Sequence, residues 1–204
     1  MNQLDDDMAW RIKEMHELQS TIQKAQGKNV DVHIRAGVSM LYAHWEGFIK
    51  GAANAYVAYL AHRSDLNSDL QPCFVALGMK SMLGALEGTG KASMAVSAVS
   101  YLLAEMDKPV KLPKTDAISA QSNLTSDVFT NIACWIGISV ARYSTRFTLI
   151  DKTLLSTRNG IAHGEFLVID KARFESLASE ILELIRWFKT DIENAVVNKA
   201  FLKA

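Results

Sequence analysis

Neither sign of charge is in excess in this sequence, since lysine plus arginine and aspartate plus glutamate both number 22. A nucleic-acid ligand would therefore need a local basic surface, because no global field exists to gather one. Cysteine is scarce. Cys73 and Cys134 stand far apart with no CxxC context, and they read as buried free thiols in a reducing compartment, which makes a cytoplasmic protein the expectation. The stretch from Met1 to Asp7 is acidic and has no apolar core, so no secretory signal is visible. The most apolar long stretch, from Ala36 to Ala61, carries His44, Glu46 and Lys50 near its middle. Those groups make it a poor membrane span and a good buried helix, so a soluble protein with no membrane partner is expected.

What is present is helix. The chain has 204 residues, 49% of them apolar, enough for one generous domain spanning 1–204. Met8, Ile12, Met15, Leu18 and Ile22 recur at three- and four-residue spacing after Asp5, Asp6 and Asp7, with Gly27 as a stop. A second helix is expected from Asn29 or Asp31 to about Arg63, roughly 50 Å long at about 1.5 Å per residue. Its Gly47 and Gly51, each costing about 1 kcal/mol relative to alanine, point to close packing there. Pro72 fits the first turn of a third helix reaching about Leu86. A fourth, from about Lys91 to Met106, uses Met94, Val96, Val99, Leu102 and Leu103 as its apolar positions. Pro109 and Pro113 mark a long loop. Further helices are expected from Ser126 or Asp127 to near Gly137, from about Thr148 to Thr157, and after a cap at Asp170. Beyond the short run from Phe166 to Ile169 no strand alternation is evident. The expected fold is all-α, with six or seven helices around a long central second helix.

Most clusters that could carry chemistry fail on inspection. The segment from Glu87 to Ser93 resembles a phosphate loop, but Ala85 stands where the first glycine belongs and Ala92 where a magnesium-binding hydroxyl belongs. An inter-helix turn is the better reading. His16, His33, His44 and His62 are scattered without metal-ligand spacing, so no metal site is expected. Arg142 and Arg146, one helical turn apart, read either as a solvated face or as a basic wall that holds a phosphate backbone.

One segment concentrates reactive groups: Arg158, Asn159, His163 and Glu165, with Gly160 and Gly164 between them. Arginine offers a permanently charged planar fork to phosphate, and histidine moves protons near neutrality. Glycines let backbone approach a ligand. That combination suits metal-free phosphodiester chemistry on RNA, where the 2′-hydroxyl is an internal nucleophile. The residues alone leave a second reading open, in which Asn159-Gly160 caps a helix and His163 bonds a turn.

Arg158-Asn159-Gly160-Ile161-Ala162-His163 resembles the Arg-Asn-x-x-x-His signature of the HEPN superfamily (higher eukaryotes and prokaryotes nucleotide-binding), with Gly164-Glu165 as its continuation. The block from Leu41 to Lys50, containing Tyr42, Trp45, Glu46 and Gly47, is similar to an early helix of the subgroup related to RiboL-PSP HEPN domains. Ser122-Asn123-Leu124 fits the same subgroup. The resemblance implies a helical bundle that forms a homodimer across the Arg158–His163 segment, two copies lining one cleft. It implies a metal-independent endoribonuclease without cofactor, in toxin–antitoxin or phage-defence settings, with an antitoxin protein as a possible partner. Some members are non-catalytic modules that bind RNA, nucleotide or protein. By carry-over His163 moves protons, Arg158 stabilises phosphate charge and Asn159 orients the site. Glu46 is expected either to position Arg158 or to pair with Lys50 one turn on.

Overall fold

The computed structural model describes residues 2–27, 29–88, 90–119, 123–166 and 168–203. Among the described residues eight α-helices follow one another: α1 (Asn2–Lys24), α2 (Asn29–Ala61), α3 (Pro72–Gly78), α4 (Lys80–Glu87), α5 (Ala92–Glu105), α6 (Ser126–Trp135), α7 (Ser156–Ala162) and α8 (Lys171–Val197). A 3-10 turn (Ser144–Arg146) and a π-helical stretch (Leu149–Leu155) lie between α6 and α7. Among the described residues there are isolated β-bridges but no strand, and the all-α expectation stands. The long second helix falls where the pattern puts it. The described residues between Phe166 and Ile169 are irregular, and Leu167 lies outside the description. No described helix is long and apolar enough to cross a membrane.

The chain forms two compact units, and α2, α6 and α8 contribute residues to both. The first comprises Met1–Ala52, Ala120–Thr130 and Val140–Asp191. Its core gathers Met15 and Ile22 of α1, Val38, Leu41, Trp45 and Phe48 of α2, and Phe174, Ile181, Ile185 and Phe188 of α8, all buried. Phe129 sits at the centre of an aromatic cluster, 5.5 Å from Trp45, 5.0 Å from Tyr143 and 5.7 Å from Phe188 between ring centroids. Each such side chain contributes about 1.5–3 kcal/mol by leaving water. Close approach is possible because Gly37 has no side chain: a Cβ there would lie 2.8 Å from both Ile22 and Phe174. Gly47 makes room for the Arg11 guanidinium, 3.0 Å from where its Cβ would be, whereas a Cβ at Gly51 would meet only Asp7 Oδ2, at an ordinary 3.8 Å. So one of the two glycines expected to mark tight packing does so. The ends of the helices are closed by side chains. Lys171 donates to the carbonyls of Gln23 and Ala25 at 2.7 and 2.9 Å, capping the negative end of α1, and Asp170 accepts from the Arg173 N–H at the start of α8.

The second unit comprises Ala53–Ser119, Asn131–Ser139 and Ile192–Ala204. Tyr56 and Phe74 meet edge to face at 5.7 Å, and Leu60, Leu70, Leu77, Ile132 and Phe201 of this unit are also buried. The proline-containing loop is pinned by reciprocal bonds, both 2.9 Å, between the Asn54 amide and the Ile118 backbone. The helix expected to run unbroken from Pro72 is instead interrupted at Met79, whose N–H bonds several carbonyls at once and ends α3. The expectation for α5 also fails in part. Val96, Val99 and Leu103 are exposed, and only Ala98 is buried on that helix, because a small side chain allows the closest approach. The thiols differ from expectation too: Cys73 is half-buried and Cys134 is exposed, its place near the end of a short helix leaving it uncovered.

Candidate active site

The Arg158 segment does not follow a helix; it is one. The backbone is helical from Phe147, widens into π-helical turns from Leu149 to Leu155, and continues as α7 through Ala162. A π-helical turn holds more residues than an α-turn and so re-aims everything after it. Asp151, within that stretch, accepts hydrogen bonds from the Ser126 N–H (2.8 Å) and hydroxyl (2.5 Å). Its carboxylate thereby caps the start of α6 and ties the widened turn to it. His163 is the C-cap of α7 and Gly164 follows with φ 80°. The Gly164 N–H reaches the Ile161 carbonyl (3.1 Å) and the Glu165 N–H reaches that of Gly160 (2.9 Å), a Schellman closure that requires the left-handed residue. The capping role expected of Asn159-Gly160 therefore belongs to His163-Gly164.

Arg158 is half-buried and held on three sides. Its guanidinium carbon lies 4.7 Å from the centroid of the Tyr42 ring. Its Nη1 donates to the side-chain oxygens of Asn123 (3.2 Å) and Asn159 (2.9 Å). Those contacts use one corner of the fork, and the Nε–Nη2 edge makes no hydrogen bond to described residues. That edge is a bidentate donor suited to two phosphate oxygens.

Tyr42 is itself fixed. It is buried, its hydroxyl accepts from the Leu124 N–H at 2.8 Å, and it is hydrogen-bonded to the Glu46 carboxylate. Burial, with Glu46 opposing the Leu124 bond and the Arg158 charge, pushes its phenol up to about 12. The ring is therefore neutral and its hydroxyl keeps the proton it shares with Glu46. Glu46 also pairs with Lys50 at 3.1 Å. Of the two roles anticipated for Glu46, the pairing with Lys50 is the one seen; Glu46 makes no bond to Arg158, whose side-chain partners are Asn123 and Asn159.

His163 is exposed, and its imidazole makes no hydrogen bond to described residues; only its backbone is engaged, through the Asn159 carbonyl at 2.9 Å. Five positions along an α-helix amount to about 500°, so Arg158 and His163 leave α7 about 140° apart. Within one chain they do not share a face. Glu165 is exposed as well, and its carbonyl accepts from Arg35 Nη1 at 2.6 Å.

Arg142 and Arg146 are not part of this cluster. Arg142 pairs with Asp191 at 3.1 Å and stacks over Tyr143 and Trp187. Arg146 pairs with Glu180 at 3.1 Å. Both guanidiniums are spent on α8, as a structural face would be. Sequence reasoning gave no role to Tyr42, Asn123 or Asp151. Tyr42 stands one helical turn before Glu46, a signal that was there to be read, whereas nothing in the sequence announces a π-helical turn. Ser122, next to Asn123, lies outside the described residues.

Among the described residues, no three histidine, cysteine, aspartate or glutamate side chains group to hold a metal. No curated protein or solved structure gives a significant match to this chain. A family description does match, that of the HEPN_MAE_28990-like HEPN domains, over residues 1–201. The match covers both sequence blocks that carry the HEPN resemblance. The chain belongs to the HEPN_MAE_28990-like HEPN family.

Proposed function

We propose that this protein is a metal-independent endoribonuclease that works as a homodimer across the α7 segment. The observation that carries the reading is the Arg158 guanidinium, clamped by Tyr42, Asn123 and Asn159 while its Nε–Nη2 edge makes no hydrogen bond to described residues. A fixed planar cation with a free bidentate edge is what a phosphodiester needs for charge stabilisation. His163, exposed at the end of the same helix, supplies the proton-transfer group. In the reaction the ribose 2′-oxygen loses its proton to an imidazole and attacks phosphorus. The P–O5′ bond breaks, and the leaving oxygen takes a proton from an imidazolium. The products are a 2′,3′-cyclic phosphate and a 5′-hydroxyl. Because Arg158 and His163 diverge by about 140° on one helix, pairing Arg158 of one copy with His163 of a second is the economical way to bring the two groups to one phosphate.

That divergence also supports a second reading, a module that binds RNA without cutting it. The test is incubation of purified protein with single-stranded RNA in EDTA, with product ends identified. Cyclic-phosphate ends from the wild type, and none from His163→Ala, are expected. RNA bound but intact under all conditions selects the second reading, and activity persisting in His163→Ala rejects this site. A toxin or phage-defence role follows the family resemblance, with growth arrest on expression as its readout and relief by His163→Ala as its control.

A further inference from the structure

Immediately after the site, Phe166 is 77% exposed, the most solvent-accessible large apolar side chain of the molecule's described residues. Leaving such a ring in water forfeits stabilisation that burial would supply, yet the backbone beside it is held firmly. The Glu165 N–H is bonded to the Gly160 carbonyl at 2.9 Å, and the Glu165 carbonyl accepts from Arg35 at 2.6 Å. The chain leaving α7 is therefore anchored at the residue preceding Phe166, with a guanidinium bonded one residue away from the ring. Phe166 lies three positions after His163, a reach of at most roughly 11 Å. A fixed backbone, a bare aromatic ring, a neighbouring arginine and a phosphate-binding fork one helix end away are the components of a single-stranded nucleic-acid site. There an unstacked base lies on an aromatic face while arginine handles the backbone.

We propose that Phe166 is a stacking platform for a base flanking the phosphate that His163 of the same copy and Arg158 of a second copy share, which makes single-stranded RNA the substrate class. This rests on the reading of the Arg158–His163 segment as an RNA site. A duplex keeps its bases stacked on one another and offers none to the ring, so Phe166 selects loops and unpaired ends.

The test is binding of a short fluorescein-labelled single-stranded RNA with 2′-O-methyl riboses, which cannot be cleaved, by wild type, Phe166→Ala, Phe166→Leu and Phe166→Trp, with the oligomeric mass of each measured alongside. Alanine and leucine are expected to weaken binding by about 5- to 150-fold, the cost of one lost base stack, and tryptophan to retain it. The same RNA annealed to its complement should bind weakly and be insensitive to all three changes. Recovery with leucine overturns the proposal, because leucine restores apolar area without a π face. So does unchanged affinity in Phe166→Ala, or a Phe166→Ala protein whose oligomeric mass falls while the affinity of each assembled site is kept. That last result assigns the ring to a protein contact. If wild type binds no RNA at all, the parent reading falls with the proposal; if wild type binds this RNA and cleaves its unmodified counterpart but ignores the Phe166 changes, only the proposal falls.

Discussion

The guanidinium of Arg158 rests on the ring of Tyr42, 4.7 Å from carbon to centroid, across a gap of more than a hundred residues in sequence. A cation over an aromatic face is worth about 0.5–2 kcal/mol, more as water is excluded. Here the ring is itself immobilised through its hydroxyl, so the stack sets the direction of the fork as well as holding it. Tyr42→Leu should lower RNA affinity by about 2- to 30-fold, the fold-change that range of energy represents. Tyr42→Phe keeps the ring but loses the bonds to Leu124 and Glu46. It should keep most of the affinity while lowering cleavage, if orientation matters more than charge. Equal loss in both variants would show that Tyr42 serves folding alone, which circular dichroism and melting of the same proteins would register.

A contrast between arginines follows from their partners. Arg146 is paired with Glu180 and stands close to Glu183, 3.9 Å away, whereas the Nε–Nη2 edge of Arg158 has no hydrogen-bond partner among the described residues. Arg158→Ala should abolish detectable cleavage and Arg158→Lys should not restore it, because an ammonium lacks the planar fork. Arg146→Ala should leave RNA affinity within about 2-fold and stability within about 1 kcal/mol, as expected for a partly exposed ion pair. Cleavage assays, fluorescence anisotropy and thermal melts on the three proteins separate these outcomes. A loss in Arg146→Ala as large as in Arg158→Ala would reinstate a basic wall.

The helices were legible because periodicity reports burial directly. Met8, Met15 and Ile22 recur at sevenfold spacing and are all buried. So was the reactive segment, because Arg158 and His163 are rare types placed close together. What stayed hidden depends on contacts far apart in sequence. Asn123 and Tyr42 meet Arg158 only after folding, and neither residue type singles itself out. The π-helical turn at Leu149–Leu155 has no residue signature, because it depends on backbone geometry, including the tie from Asp151 to Ser126. The exposed stripe Val96, Val99 and Leu103 shows the opposite limit: an apolar pattern marks a helix, but does not say which of its faces a neighbour covers.

Two glycines of α2 should respond to alanine with opposite signs. At Gly37 the added methyl would meet Ile22 and Phe174 at 2.8 Å, so the core must shift, at about 1–3 kcal/mol. At Gly51 the nearest atom is Asp7 Oδ2 at 3.8 Å, an ordinary contact, and the helix gains the propensity of alanine, up to about 1 kcal/mol. Denaturant melts of Gly37→Ala and Gly51→Ala should therefore bracket the wild type. The packing account of Gly37 is wrong if its variant is as stable as wild type.

The last prediction concerns pH. His44 is buried on α2, its Nε2 2.9 Å from a Glu14 carboxylate oxygen without the alignment of a hydrogen bond. Trp10 lies against its ring at 5.4 Å, and Arg11 and Asp7 complete its charged surroundings. Burial lowers its proton affinity and the Arg11 charge assists; Glu14 and Asp7 oppose without prevailing. The folded imidazole thus takes up its proton at lower pH than the unfolded one, whose ordinary value is 6.5. Above that value both states are neutral and the contribution to stability is fully present. As pH falls through 6.5 the unfolded state protonates first, and stability is lost until the folded imidazole protonates too. One proton limits the slope to about 1.4 kcal/mol per pH unit. Denaturant melts of wild type and His44→Gln from pH 8 to pH 5 should differ in slope: whatever the starting stability of His44→Gln, it should fall less steeply below pH 6.5. Parallel curves would mean that His44 protonates equally in both states and that its burial has no electrostatic consequence.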